Sequence, residues 1–225
     1  MIRLVLFDID GTLIHTSGAG EKAFARVFAG LFGISDGTER LKFAGRTDPS
    51  IVREFFLHNS IEPSRENFER FFDAYVFMLD HLLQQLPGGV HRGIGEWLRE
   101  LRALPQPPVI GLLTGNIRLA AEIKLRRFDL WDQFETGGFA DDRLERNEIA
   151  AAAKLRGEAI LGRRLDGSEV LVIGDTPLDI ACARHIGAKV ITVGTGMYRP
   201  KDLLPLGADW AVESLEELSA REVCH

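Results

Sequence analysis

The chain has 225 residues, a formal net charge of -6 at pH 7 and 45% hydrophobic residues. The acidic balance argues against nucleic acid or a membrane surface as the main partner. The length suits one large domain, or a core domain with a smaller insertion. Two cysteines, Cys182 and Cys224, make no disulfide framework, so we expect reduced thiols. Without a signal peptide or an apolar run of membrane length, we expect a cytoplasmic protein.

The first predicted element is a short buried strand. Residues 4–7 are all apolar, which is typical of a strand covered on both faces of a parallel sheet. Asp8 and Asp10 follow directly, then Gly11, Thr12 and Leu13. Open α/β sheets place their ligand crevices at the carboxyl ends of strands, where these aspartates would lie. A simple Asp-Gly turn is the alternative, so the interpretation depends on what else reaches this edge.

Residues 15–86 have a helical pattern. Apolar and aromatic residues recur at helical spacing in three segments, with a stop signal at Gly33 and start signals at Asp48-Pro49 and Ser64. We therefore predict an α-helical cap domain over residues 15–86, inserted into a core made of residues 1–14 and 87–225. The aromatic residues are interpreted as its packing core.

From residue 93 onward, predicted helices alternate with strands. Continuous apolar runs predict strands at 109–113, 170–173 and 189–193, with a weaker strand at 209–212. One intervening helix is predicted from Leu119, Ile123 and Phe128. This alternation predicts an α/β fold, with a doubly wound parallel sheet as its core.

Three of these strands are followed by polar groups of a similar kind. Asp8 and Asp10 follow the first, Thr114-Gly115-Asn116 the second, and Asp175, with Asp179 four residues later, the third. Parallel strands bring these groups to one edge, where clustered carboxylates destabilise the fold unless a ligand neutralises them. Oxygen ligands favour a hard cation, and Mg²⁺ suits a site that also binds phosphate.

The motifs Asp8-Ile9-Asp10-Gly11-Thr12, Thr114-Gly115-Asn116 and Gly174-Asp175 with Asp179 resemble those of the haloacid dehalogenase-like hydrolase superfamily. The helical insertion after the first motif resembles the cap of its phosphoglycolate phosphatase-like and β-phosphoglucomutase-like members. The resemblance covers essentially the whole chain. It implies a Rossmann-like core and a Mg²⁺-dependent phosphatase acting on a small phosphorylated metabolite.

The resemblance also implies a role for each motif residue. Asp8 would be the nucleophile that forms an aspartyl-phosphate, and Asp10 the general acid and base. Asp8, Asp175, Asp179 and the backbone carbonyl of Asp10 would surround the metal, with Asp179 near it through water. The phosphoryl group would be bound by residues of two motifs: Gly11, Thr114, Gly115 and Asn116. For Thr114, capping of the following helix is the alternative.

Members of the family usually carry a lysine between the nucleophile and the phosphoryl group, and here this chain departs from them. We expect Arg146 to replace it, with Asn147 capping the next helix, because arginine keeps the charge and binds oxygens bidentately. Lys124 and Lys154 are interpreted as surface charges.

Specificity is expected to come from the cap. Arg46, in a loop between cap helices, is a candidate partner for a substrate carboxylate or second phosphate, although a solvated loop arginine is an equal alternative. His15 and Thr16 border the expected crevice, with a hinge role favoured for His15. Cys182 is interpreted as a packed thiol.

Several functions remain open at this stage. A phosphomutase of the β-phosphoglucomutase type would share both aspartates and the cap. A dehalogenase is disfavoured by Asp10, and a phosphonate hydrolase needs a cap lysine for which Lys22 and Lys42 are poor candidates. A catalytically silent phosphate- or sugar-binding module would be expected to lose one of the charged positions, and the four aspartates are intact, so this alternative depends on the missing lysine. The expected partner is a small-molecule phosphate ester, and the expected assembly is a monomer or weak homodimer.

Overall fold

A computed structural model describes residues 1–224 of the chain. Its strands lie in two sheets and run, in chain order, over β1 Leu4–Phe7, β2 Ile14–His15, β3 Gly89–Val90, β4 Val109–Leu113, β5 Thr136–Gly138, β6 Val170–Gly174, β7 Lys189–Val193 and β8 Trp210–Val212. The α-helices run over α1 Ala19–Phe32, α2 Asp48–His58, α3 Arg65–Gln85, α4 Ile94–Arg102, α5 Arg118–Arg126, α6 Arg146–Leu161, α7 Pro177–His185, α8 Pro200–Leu203 and α9 Ala220–Cys224.

The core is a six-stranded parallel sheet in the order β5-β4-β1-β6-β7-β8. Strand β1 is central because it pairs in parallel with both β4 and β6, so that Phe7 lies between Leu112 and Ile173. Through this register the residues that follow β1, β4 and β6 emerge side by side at one edge. The predicted α/β fold is therefore confirmed, and the three motifs share that edge.

Alternate residues of β1 pack into two different hydrophobic layers. Leu4 and Leu6 belong to the layer that includes Ile149 of α6, whereas Val5 and Phe7 belong to the layer that includes Trp97 of α4. Both faces of the strand are covered by helices, which explains why its four residues are all apolar.

Helices α1 to α3 form the inserted cap, and phenylalanines fill its interior. Phe28 of α1 stacks on Phe55 of α2 with ring centroids 3.6 Å apart, and it lies 4.5 Å from the ring of Phe71 in α3. The ends follow the sequence signals, with Gly33 in the left-handed region after α1 and Ser64 capping α3. Helix α2 begins at Asp48 itself, so Thr47 and not Asp48 takes the N-cap position.

The two ends of the insertion meet in an antiparallel ribbon of β2 and β3, in which Ile14 pairs with Val90 and His15 with Gly89. Two short strands give few hydrogen bonds to resist bending. We propose that this ribbon is the hinge and marks the domain boundaries at 14/15 and 86/87. Within residues 1–224, no helix has the length and apolar character needed to cross a membrane.

Candidate active site

Asp8 occupies the first position after the central strand and is almost fully buried. Its backbone N–H donates to the carbonyl of Ile173, 2.9 Å away, which continues the β1–β6 pairing by one residue. Burial raises the pKa of Asp8 to about 7, although the nearby Arg146 guanidinium acts in the opposite direction. The carboxyl is thus held where water solvates it poorly.

Asp175 and Asp179 lie beside Asp8, and one carboxylate oxygen from each of the three falls within 4.8 Å of the others. Burial, reinforced by the Asp179 and Asp8 carboxylates, raises the pKa of Asp175 to about 8. Gly11 is required here, because its φ is +82° and a Cβ would lie 2.6 Å from the Asp175 carboxylate. The fold therefore packs three acidic groups together at a cost in stability.

Arg146 is the cation of this cluster. It is buried, and its Nη2 lies 3.1 Å from Asp8 Oδ1 and 2.5 Å from Asp179 Oδ1, while Nη1 donates to the carbonyl of Gly45. Burial alone would lower the pKa of Arg146, but the Asp179 and Asp8 carboxylates outweigh it and raise it. Arg146 is the first residue of α6 with Glu145 at the N-cap position, so the prediction that Asn147 caps this helix was wrong.

The donor set of this cluster fits a hard cation. Its oxygens come from three buried carboxylates whose mutual repulsion one arginine offsets only in part. Asp179 already has protein partners on both oxygens, because Oδ1 accepts from Arg146 and Oδ2 accepts from the N–H and hydroxyl of Thr176. Asp8 and Asp175 are thus the better placed to bind a metal directly.

The Asp10 carboxylate takes part in a second ion pair. Its Oδ2 accepts from Lys124 Nζ at 2.6 Å and from Asn116 Nδ2 at 2.8 Å. Lys124 also donates to Asn116 Oδ1 at 2.6 Å. Lys124 is only 4% exposed, so its interpretation as a surface charge was wrong. The physical reason is that α5 buries Ala120, Ala121, Lys124 and Leu125, whereas Leu119 faces outward.

The loop after β4 turns beneath the cap. Thr114 Oγ1 accepts from both the backbone N–H and the Nδ2 of Asn116, at 3.2 and 2.8 Å, so this hydroxyl organises the loop and does not cap α5. A Cβ at Gly115 would collide with the carbonyl of Arg46. Only glycine allows the cap loop to approach this closely.

Residues 43–48 of the cap are joined to the core by hydrogen bonds that involve backbone groups of both. The N–H of Asp48 donates to the carbonyl of Gly115 at 2.7 Å, and Asp48 Oδ2 accepts from the N–H of Ile117 at 2.9 Å. A cap carboxylate therefore satisfies a free N–H at the start of core helix α5. Burial raises the pKa of Asp48 to about 7, with Lys124 acting to lower it.

A cavity of about 380 Å³ lies between the cap and the strand ends. All of Asp8, Asp10, Gly11, Thr114, Gly115, Asn116, Arg146 and Asp175 line it on the core side. His15 and Thr16 also line it, and His15 belongs to the ribbon as well. Arg46 reaches the cavity, but it is engaged by Glu54 at 2.5 Å and by the carbonyls of Lys42 and Ser50.

The sequence interpretation did not assign Lys124, Tyr75 and Asp48 to the site, although all of them line this cavity. Tyr75 is buried on α3, and its burial, with the nearby Asp48 and Asp10 carboxylates, raises the pKa of its phenol well above the usual range. Hydrophobic periodicity gave no signal for Lys124, because it lies on the buried face of α5 beside the small residues Ala120 and Ala121. Cys182 is a buried free thiol, as expected, and Cys224 is free and buried as well.

Comparison with known proteins places this geometry in a family. Residues 5–193 match the model of the haloacid dehalogenase-like hydrolases. A phosphoglycolate phosphatase of Chromobacterium violaceum is 31% identical, with 96% of this chain and 95% of the relative covered. A plasmid-encoded phosphoglycolate phosphatase of Cupriavidus necator is 27% identical, with 96% and 91% covered.

Among solved structures, CbbY from Rhodobacter sphaeroides in complex with phosphate superposes with a TM-score of 0.76 at 20% identity. The match covers 97% of this chain and 96% of that one, and it supports the fold alone. The family match spans most of the chain and includes all the strand ends described above. The chain belongs to the haloacid dehalogenase-like hydrolase family.

Proposed function

We propose that this protein is a Mg²⁺-dependent phosphatase that hydrolyses a small phosphomonoester through an aspartyl-phosphate on Asp8. The observation that carries the proposal is the pairing of buried Asp8 with Arg146 beside Asp175, at the floor of a cavity closed by the cap. Asp8 as the nucleophile, Arg146 as a fixed cation and the Asp175 carboxylate then face one cavity.

Asp8, Asp175 and the backbone carbonyl of Asp10 are the residues that would bind Mg²⁺, and Asp179, which accepts a hydrogen bond from Arg146, would lie near the metal. When bound, Mg²⁺ neutralises these carboxylates and polarises the phosphoryl oxygens. Arg146 carries positive charge next to the attacking oxygen and offsets the repulsion between the Asp8 carboxylate and an anionic ester.

The chemistry proceeds in two displacements. Asp8 attacks phosphorus, the bond to the leaving oxygen breaks, and Asp10 gives that oxygen a proton. Asp10 then takes a proton from water, which attacks phosphorus and breaks the bond to Asp8. Inorganic phosphate leaves and both aspartates return to their starting states. Gly11, Thr114, Gly115 and Asn116 are the proposed contacts to the phosphoryl oxygens during both steps.

The substrate class is set by the cavity, whose 380 Å³ suits a small metabolite. The phosphoglycolate phosphatases among the relatives make phosphoglycolate one candidate, and sugar phosphates are the other. Arg46, which already contacts Glu54, is the proposed cap residue next to the leaving group.

The test is phosphate release from a panel containing phosphoglycolate, glycerol phosphate, glucose 1-phosphate, glucose 6-phosphate and pyrophosphate, with Mg²⁺ and with a chelator. We expect Mg²⁺-dependent release that falls to background in Asp8→Asn and is unchanged in Asp73→Asn, an exposed aspartate of the cap. Transfer of phosphate within a sugar, without release, would point to a phosphomutase. No release and no phosphoenzyme with any ester would overturn the proposal.

A further inference from the structure

The site contains two aspartates with separate cations. Arg146 pairs with the nucleophile Asp8, and Lys124 pairs with Asp10. The pairing of Asp10 with a buried lysine from α5 has no part in the function proposed above. The contacts of Lys124 bear instead on the orientation of the Asp10 carboxylate.

The Lys124 ammonium lies behind the Asp10 carboxylate, away from solvent. Its side chain is 5% exposed, whereas that of Asp10 is 44% exposed. Because a buried ammonium destabilises the fold unless it is well paired, a hydrophobic residue would pack better at this position. Lys124 instead brings its charge to one oxygen of Asp10 and to Asn116 Oδ1, both at 2.6 Å.

The contacts fix one Asp10 oxygen and leave the other open. Both Lys124 Nζ and Asn116 Nδ2 donate hydrogen bonds to Oδ2 of Asp10, and Lys124 Nζ also donates to Asn116 Oδ1. In residues 1–224, Oδ1 of Asp10 has no hydrogen-bond partner from the protein, and Asp10 lines the cavity. A carboxylate held in this way presents a single oxygen in a fixed direction.

The cap closes around the lysine from the other side. A Cβ added at Gly20 of α1 would lie 3.7 Å from Lys124 Nζ, so this cap helix approaches the ammonium. The Tyr75 hydroxyl of α3 lies 3.7 Å from the same point. Asp48 is close enough for its carboxylate to interact with Lys124. The ammonium therefore has little room to turn away from Asp10 while the cap is closed.

We infer that Lys124 is a positioning residue that, together with Asn116, aims the free oxygen of Asp10 at the leaving oxygen of the ester and later at the attacking water. This inference rests on the phosphatase function proposed above. Both displacements should then depend on Lys124, because Asp10 transfers a proton in each of them.

The test compares Lys124→Met, which keeps the length of the side chain and removes its charge, with Arg126→Met, an exposed cation of the same helix. Each variant is assayed with an alkyl phosphate from the active panel and with p-nitrophenyl phosphate, whose leaving group departs without a proton. Acid-quenched samples are analysed by intact mass for phosphate on Asp8.

With the alkyl ester, we expect Lys124→Met to lower kcat roughly a hundredfold, at the low end of what general acid–base catalysis contributes, with KM within about threefold. With p-nitrophenyl phosphate, we expect a rapid burst of product, then slow turnover and accumulated phosphoenzyme. The burst arises because the first step no longer needs Asp10, whereas breakdown still does. Arg126→Met is expected to match the unchanged protein with both esters.

Equal losses in the burst and in turnover would overturn the inference, as would a loss confined to KM or no loss at all. Thermal unfolding is measured on every variant, and Lys124→Gln replaces Lys124→Met if the latter does not fold. If neither folds, the lysine is structural and the inference fails. An unchanged protein that neither turns over any ester nor forms a phosphoenzyme would instead contradict the phosphatase function itself.

Discussion

The cap and the strand-end site are both buried, but they are buried with opposite chemistry. The cap interior is built from aromatic rings in mutual contact, such as Phe28 against Phe55 and Phe71. The site buries three carboxylates within 4.8 Å of one another and raises the pKa of two of them. Aromatic packing stabilises the fold, whereas clustered charge destabilises it. The cap interior thus stabilises the protein, whereas the site lowers its stability in return for a reactive arrangement of charges.

The largest expected effect is on the cap side of this comparison. Phe28→Ala removes a ring that contacts all three cap helices and should lower the free energy of unfolding by about 3–5 kcal/mol. Its kcat at 25 °C should stay within a few-fold while the protein remains folded. Phe77→Ala is the control, because that ring is 78% exposed and its removal should change stability by less than about 0.5 kcal/mol.

Urea unfolding followed by circular dichroism measures both variants. A loss of activity in Phe28→Ala at temperatures where the protein is fully folded would show that the cap interior contributes to catalysis as well as to stability, contrary to this comparison.

The next effect is on the site side. Arg146→Met should lower kcat by about 10²–10³, the loss expected when one preorganised charge next to a reacting oxygen is removed. Arg146→Lys should recover part of that activity, since it restores the charge without the second contact. Lys154→Met, farther along α6, is the control and should behave as the unchanged protein.

Steady-state kinetics with saturating Mg²⁺ measures these variants, with thermal unfolding to verify folding. If Arg146→Met kept a third or more of the activity, Arg146 would not be the cation that supports Asp8.

The smallest expected effect is at Asp48, which lies at the boundary between the cap and the site. Burial raises the pKa of Asp48 from 3.8 to about 7, so the folded protein holds a proton there that the unfolded chain releases. Asp48 therefore contributes stability that is fully present below about pH 4 and is lost as the pH rises through about 7. Asp48→Asn keeps an acceptor for Ile117 and removes this dependence. At pH 8, where Asp48 is ionised, the variant should be more stable than the unchanged protein, whereas at pH 4 the difference should be smallest.

Unfolding midpoints measured from pH 4 to pH 8 test this expectation, with Asp36→Asn, an exposed cap residue, as the control. Parallel pH profiles for Asp48→Asn and the unchanged protein would contradict it.

The sheet and its acidic edge could be predicted because their signals are local. Strand β1 is an unbroken apolar run, and the aspartates stand directly after it, so pairing with β4 and β6 determines where they lie. Lys124 could not be placed in this way, because the prediction took Leu119 and Ile123 for the buried face of α5. The face of α5 that is in fact buried carries small residues beside a charged one, so hydrophobicity alone predicts the wrong face.

The contacts of the cap loop were also beyond local patterns. The approach of the Arg46 carbonyl to Gly115 depends on how the insertion closes over the sheet. The same holds for Asp48, whose helix-start signal was correct to within one residue but whose carboxylate serves a different helix. Such contacts join segments about 70 residues apart in the chain, and no periodicity describes them.

The two hydrogen bonds of Asp48 give this protein a built-in reporter of cap movement. The N–H of Asp48 is bonded to Gly115 and the N–H of Ile117 to Asp48, so each amide has its acceptor across the boundary between cap and core. Opening the cap would expose both amides to solvent without unfolding either region. Their hydrogen–deuterium exchange rates, compared with those of amides inside α5 and α2, would measure how often the empty enzyme opens.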